Sequence, residues 1–207
     1  MNKEVLKEKY KDEKVLCIKN SFLSILTDEN VDKVNALMVL IEHNSQFEYR
    51  YKAELDLGKK QVIPYVVLQH KDKYFVTKRI QGDHRLVGQL SIAVGGHINP
   101  CDSTGFNRPQ EIVSKCIMRE LKEETTATMR DIESPAYITT FIDESTEVSK
   151  VHVCLLSKFV MNTDKIEIKE TDKLEGSWMT FDEIKEQYDK FENWSKITID
   201  LLEKEGK

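Results

Sequence analysis

Between residues 108 and 126 an apolar helical stripe runs straight into carboxylates, and this conflict constrains the fold more than any other feature of the chain. Ile112, Val113, Cys116 and Ile117 recur at the three- and four-residue steps of an amphipathic helix. Continued along the same face, the stripe lands on Glu120, Glu123 and Glu124, where buried residues are expected. Pro109 suits the first turn, since its missing N–H has no helical partner there. Met118 and Leu121 keep a neighbouring face apolar, so the helix still packs on a core. Three carboxylates on one partly shielded face repel one another and are costly to desolvate. A hard divalent cation resolves that conflict, because Mg²⁺ and Mn²⁺ take carboxylate oxygen and keep waters for exchange. Arg119, four residues before Glu123, can brace one carboxylate without taking the metal face. The competing reading is a solvated helix face, since Lys-Glu-Glu runs usually mean exposure.

Strand-like runs flank this helix. Val62–Leu68 is β-branched and aromatic, Lys71-Asp72-Lys73 suits a hairpin turn, and Tyr74–Ile80 returns. Leu90–Val94 is a third run, halted by Gly95-Gly96, and a turn-rich loop from His97 leads to the helix. Ala136–Ile142 and Val151–Met161 read as strands joined by a polar turn at Asp143–Lys150, and Trp178–Thr180 as a last short strand. Thr180-Phe181-Asp182-Glu183 has the form of a capping box. Beyond it, Ile184, Tyr188, Phe191, Trp194, Ile197 and Leu201 predict one broad apolar helical face. Upstream, Lys14–Ile18 predicts a strand, and Asn30 or Asp28 caps a helix over Val31–Glu42. Leu57-Gly58-Lys59-Lys60 reads as a connection, which divides the chain into an extension, 1–58, and a main domain, 59–207.

The acidic segment resembles the Nudix box: Gly, five residues, Glu, seven residues, then Arg-Glu-aliphatic-x-Glu-Glu-x-Gly-aliphatic. Gly105, Glu111, Arg119, Glu120, Leu121, Glu123 and Glu124 match that pattern. Thr126 and Ala127 stand at its closing Gly and aliphatic positions, so the helix exit is expected to differ while the metal ligands remain. A second register starts from Gly95-Gly96, reaches Asp102 after five residues, and treats the rest of the loop as an insertion. That register is preferred; Glu120, Glu123 and Glu124 hold in both. In layout the resemblance runs from Gln61 to the C-terminus. Gln61–Tyr65, Arg85-Leu86, Ser91–Ile98 and Val148–Val153 look like an uncharacterised bacterial branch of predicted phosphoesterases. The resemblance implies an α+β fold, a Nudix-like α/β/α sandwich with a mixed sheet, here with a small N-terminal α/β extension.

The family resemblance also implies cleavage of a phosphoanhydride in a nucleoside diphosphate linked to another group. Glu120, Glu123 and Glu124 would then hold Mg²⁺ or Mn²⁺, and Arg119 would orient them. Gly95 and Gly96 allow close backbone approach to a phosphate, or simply make a tight turn. His97 can touch phosphate, ligate metal or stabilise its loop, and His152 faces either the cleft or a structural partner. Arg79 and Arg85 suit phosphate clamping with forked guanidinium donors, and Lys78 less so; surface ion pairing is the alternative. A base comes from the box itself or from Glu144, Glu147, Glu170, Asp172 or Glu175 in the flanking loops. Isopentenyl-diphosphate isomerases share a strand ending in Gly-His, but Gly95 stands where they carry a catalytic Cys. A non-catalytic, ligand-sensing Nudix domain is the remaining alternative.

Composition narrows the partners. A net charge of −5 argues against a nucleic-acid-coating surface, which needs basic excess, while bound metal still permits a small phosphorylated substrate. The apolar stretches Ala36–Ile41 and Val151–Leu156 are too short to span a bilayer, and the first residues lack the pattern of a secretory signal. Cys17, Cys101, Cys116 and Cys154 are scattered without metal-ligand spacing, which suits free thiols in a cytoplasmic setting. The extension, with Leu37, Met38 and Ile41, is expected to pack and to support a homodimer or the substrate site.

Overall fold

The computed structural model describes residues 2–81, 87–103 and 108–206. Arg85 and Gly105 therefore lie outside the described residues. The helices are α1 (Lys3–Tyr10), α2 (Asn20–Leu23), α3 (Lys33–Asn44), α4 (Arg50–Ala53), α5 (Pro109–Glu124), α6 (Phe181–Glu186) and α7 (Asn193–Lys204). The strands are β1 (Lys14–Lys19), β2 (Ser45–Tyr49), β3 (Lys59–His70), β4 (Lys73–Arg79), β5 (Leu90–Ser91), β6 (Ala93–Gly95), β7 (Ile132–Phe141), β8 (His152–Met161) and β9 (Leu174–Thr180). This is the α+β class that the sequence predicts. The chain forms two compact units and passes between them within β3, α5, β7 and β8 and directly after β6. None of the described helices is long and apolar enough to cross a membrane.

The first unit comprises Met1–Pro64, Gly96–Ile117 and Tyr137–Leu155. In it, β1 runs antiparallel to β2 from Lys14↔Tyr49 to Ile18↔Ser45 and to β3 from Cys17↔Gln61 to Lys19↔Lys59. Val15 through Ile18 are all buried, so β1 is covered on both faces; Val15 and Cys17 pack with Ala53 of α4. Asp32, rather than Asn30 or Asp28, caps α3 by accepting from the Asn35 amide at 3.0 Å. Asp28 instead accepts from the Asn30 amide at 2.9 Å in the preceding turn, which delays the helix to Lys33. The proposed connection at Lys59-Lys60 is strand. Lys60 is wholly buried, with Nζ donating to Glu144 Oε1 at 2.9 Å and to the Lys150 carbonyl at 2.7 Å. These two bonds compensate a buried cation that composition alone places on the surface.

The second unit comprises Tyr65–Gly95, Met118–Ala136 and Leu156–Lys207. Strands β3 and β4 pair only next to their turn, at Gln69↔Tyr74 and His70↔Lys73, where Lys71 takes a φ of 55°. The run expected as one strand over Leu90–Val94 is divided. Its start, β5, pairs with β4 (Thr77↔Ser91, Lys78↔Leu90), and its end, β6, pairs with β3 (Tyr65↔Gly95 to Val67↔Ala93). It thus hydrogen-bonds to both arms of the hairpin in turn. Across β4 from this run, β9 adds seven antiparallel pairs from Lys73↔Thr180 to Arg79↔Leu174. The predicted capping box is present, with the Thr180 amide donating to Glu183 Oε2 at 2.7 Å and the Glu183 amide to Thr180 Oγ1 at 3.3 Å.

The single C-terminal helical face is corrected by the structure. Helix α6 ends at Glu186, a 3₁₀ turn covers Tyr188–Lys190, and Glu192 caps α7 by accepting from the Trp194 and Ser195 amides. The interruption lets the Glu192 amide donate to the Leu90 carbonyl at 2.9 Å. Helical phase restarts at the new cap, so α7 buries Trp194, Thr198, Ile199 and Leu202 and leaves Ile197 and Leu201 half-exposed.

Candidate active site

Helix α5 carries the stripe anticipated from its periodicity. Ile112, Val113, Cys116, Ile117 and Leu121 are buried. On the continuation, Glu120 and Glu124 are half-buried, one turn apart, whereas the Glu123 side chain is 54% exposed. The helix therefore presents two carboxylates to a sheltered face and a third towards solvent.

Arg119 braces two acids rather than the one expected. Its Nη1 donates to Glu120 Oε1 at 2.7 Å and reaches Glu123 Oε2 at 3.4 Å. Glu124 experiences a different environment. Burial, and after it the charge of Glu120, pushes its carboxyl up to about 7; Arg79 opposes the rise, and Glu170 and Glu123 add smaller increments. A carboxylate held near neutrality in this way is under-compensated by its surroundings, and a divalent cation would favour its charged form. The oxygen-only donor set of Glu120, Glu123 and Glu124 fits Mg²⁺ or Mn²⁺.

A short segment, Glu167–Glu170, is fastened along the exit of α5. The Lys169 amide donates to the Glu124 carbonyl at 2.8 Å, and Lys169 Nζ to the Lys122 carbonyl at 2.7 Å. Thr125 and Ile168 form an antiparallel bridge. Thr126, at the closing Gly position of the box, donates its amide to the Glu167 carbonyl at 2.9 Å and accepts the Glu167 amide on Oγ1 at 2.9 Å. Thr126 is not among the positive-φ residues, so the helix leaves by cross-strand pairing rather than by a left-handed glycine. Ile168 in turn rests on Gly176 of β9, where a Cβ would come within 2.7 Å of Ile168 Cγ1 and of Phe75 Cζ. Neither Gly176 nor the strap emerges from the motif. The available signal was a lone glycine inside a strand pattern, a mark of close approach.

The remaining candidates separate by partner. Arg79 ends β4, is half-buried, and its carbonyl accepts from the Gly88 amide at 2.7 Å. Lys78 pairs with Glu175 at 3.5 Å as a surface ion pair. Glu147 pairs with Lys150, Glu144 with Lys60, and Glu170 with Lys173 at 2.8 Å; Asp172 is exposed. Of these acids, Glu170 belongs to the segment fastened to α5 and acts on Glu124. Asp102, the acid of the preferred register, is buried and accepts the Asn99 amide at 2.8 Å, which closes its own turn. Glu111 lies in the first turn of α5. Gly95 ends β6 opposite Tyr65, and the Gly96 carbonyl accepts the Cys116 thiol at 3.9 Å. His97 does not stand alone: its Nε2 lies 3.2 Å from Nε2 of His152.

A family model described as the NUDIX domain matches residues 59–202. Protein YmaB of Bacillus subtilis (strain 168) is 32% identical over 176 residues, which covers 83% of this chain and 84% of the relative. The crystal structure of Tm1382, described as a candidate Nudix hydrolase, matches with a TM-score of 0.74 at 26% identity, over 92% of this chain and 98% of its own. The NUDIX domain of Shewanella oneidensis NrtR, solved with ADP ribose, shares the fold at 12% identity and a TM-score of 0.55, over 72% of this chain and 89% of that domain. The family model covers the box helix and the segment that fastens it, and the Bacillus relative extends the likeness over most of the sequence, so the chain belongs to the Nudix family.

Proposed function

We propose that the chain, a Nudix-type pyrophosphohydrolase, cleaves the phosphoanhydride of a nucleoside diphosphate linked to another group, using Mg²⁺ or Mn²⁺ held by Glu120, Glu123 and Glu124. The observation that carries this reading is the pairing of Glu120 and Glu124 on one half-buried face, with Arg79 and Glu170 acting on the same carboxylate. A bound divalent cation supplies neutralisation of the diphosphate and a lowered pKa for the attacking water. Arg119 fixes the rotamers of Glu120 and Glu123 through its two contacts. Arg79 and Arg85 take the phosphate oxygens through forked donors. Glu170 accepts the proton of the attacking water, its place set by the Lys169–Glu124 backbone bond. Residues 1–58 form an extension of the hydrolase domain at 59–207, and the extension supports a homodimer. Four cysteines outside disulfides suit a cytoplasmic setting.

ADP ribose, the ligand of the NrtR domain, heads a panel of nucleoside diphosphate derivatives that tests the reading. Release of a nucleoside monophosphate that requires Mg²⁺ or Mn²⁺, and is lost in Glu124→Gln, is the expected result. Calorimetric binding across the panel with no product formed would leave a ligand sensor in place of this substrate assignment.

A further inference from the structure

We propose that Glu54, His97 and His152 form a second cation site, one that takes a late first-row divalent ion of the zinc class. This site shares no residue with the box glutamates and stands whether or not the substrate reading above holds. All three residues belong to the first compact unit, and their ligand atoms lie within 4.8 Å of one another.

The two imidazoles are arranged as ligands are. His152 Nδ1 lies 2.6 Å from the Val148 carbonyl. A carbonyl only accepts, so Nδ1 carries the proton and Nε2 presents its lone pair on the side of His97. A ring fixed through its far nitrogen by a backbone carbonyl is the usual support of a metal-bound histidine. The Nε2–Nε2 separation of 3.2 Å also matches a tetrahedral ion, for which bonds of about 2.0–2.1 Å put neighbouring nitrogens about 3.3 Å apart. His152 is 6% exposed, so a multivalent ion there would be shielded from water.

Glu54 supplies the charge. Its side chain is 6% exposed, and the Arg50 Nε that faces it stands at 3.5 Å. Arg50 is engaged elsewhere, with Nη1 at 3.0 and 3.3 Å from the two Glu13 oxygens and its guanidinium 4.2 Å from the Tyr10 ring centroid. A sheltered carboxylate with so long an ion pair is stabilised by further positive charge. Two imidazoles and one carboxylate select zinc-class ions over Mg²⁺, and they leave a fourth position for water or an exogenous ligand.

The ligands are preorganised by separate parts of the fold. Glu54 directly follows α4, whose Ala53 is anchored against Val15 and Cys17. His97 sits between Gly96, whose carbonyl accepts the Cys116 thiol, and Ile98, whose carbonyl accepts the Leu16 amide at 2.9 Å. His152 opens β8. An ion held by all three ties together segments far apart in sequence and stabilises only the folded chain.

The test uses the full-length protein, stripped with chelator and titrated with Co²⁺ as a coloured substitute for Zn²⁺. One tightly bound Co²⁺ with the intense visible bands of four-coordination is expected. The bands should persist in Glu120→Gln/Glu124→Gln, weaken at least tenfold in affinity in Glu54→Gln, and disappear in His152→Gln. Zn²⁺ at a hundredfold excess over its Kd should raise Tm by about 5–10 °C in the parent and in the double box variant. Should His152→Gln fail to fold, Glu54→Gln, which keeps side-chain volume, still decides. Co²⁺ spectra unchanged in folded Glu54→Gln, bands lost only in the box variant, or no band and no Tm shift in the parent would each overturn the site and leave a hydrogen-bonded histidine pair near Glu54.

Discussion

The Lys169 amide donates to the carbonyl of Glu124 at 2.8 Å, so the last turn of the box helix and the segment bearing Glu170 are joined by backbone. This bond places a loop acid next to a helix acid without requiring side-chain contact between them. Glu170→Gln keeps the segment's volume and its backbone bonds but removes the carboxylate proposed to accept the proton. In steady-state assays with a cleaved nucleoside diphosphate substrate, kcat should fall about 10²–10⁴-fold while KM stays within a few-fold. A kcat within threefold of the parent would move the base to another acid.

Glu124 makes the stability of the metal-free protein depend on pH. Its folded pKa, about 7, is raised above the ordinary carboxyl value, chiefly by burial and then by Glu120. The sign follows from linkage: the neutral form favours folding, so its contribution is complete below about 4.5 and lost as pH rises through 7. Between pH 5 and 8 the chelator-treated parent should therefore lose about 1–3 kcal/mol relative to Glu124→Gln. Saturating Mg²⁺ should flatten that difference. Parallel urea-melt stabilities for the two proteins across this range would show that Glu124 is not so confined.

What the sequence made legible was local. The stripe from Ile112 to Leu121 and the acids that continue it share one helical period, so α5 and its buried face could be anticipated, whereas the turn of Glu123 out to solvent could not. Thr180 and Glu183 likewise meet because a capping box is contained in four residues. The rest depends on segments distant in sequence. Lys60 is buried only because Glu144 and the Lys150 carbonyl arrive from elsewhere in its unit. The break at Glu192 is invisible to periodicity because Tyr188 and Phe191 continue the stripe in spacing; the Leu90 pairing interrupts it. Glu54 joins His97 and His152 with no shared motif to announce it.

Gly176 sets how closely β9 approaches the strap. An added Cβ would meet both Ile168 and Phe75 at 2.7 Å, and the Phe75 ring belongs to the paired strand β4 and is itself buried. Ile168 is the partner with room to move, which displaces its neighbours Lys169 and Glu170. Gly176→Ala should cost about 1–3 kcal/mol and also lower kcat, because the acid shifts with the strap. A stability loss with kcat intact would separate the strap from catalysis.

Thr126 tests the helix exit directly. A family-typical glycine at this position would suit a left-handed backbone, but Thr126 pairs with Glu167 through its own amide and through Oγ1. Thr126→Gly keeps the first bond, loses the second, and gives the unfolded chain more conformational freedom. The combined cost is about 1–2 kcal/mol, which for a chain of this size lowers Tm by about 3–6 °C. Thr126→Ser keeps the hydroxyl and should remain within about 1 °C of the parent by the same scale. Both variants leave Glu120 and Glu124 in place, so Mn²⁺ affinity by calorimetry should change less than twofold in either. A gain in Tm for Thr126→Gly is the decisive contrary result, because it would mean that the exit prefers the left-handed conformation and that the Glu167 pairing contributes little.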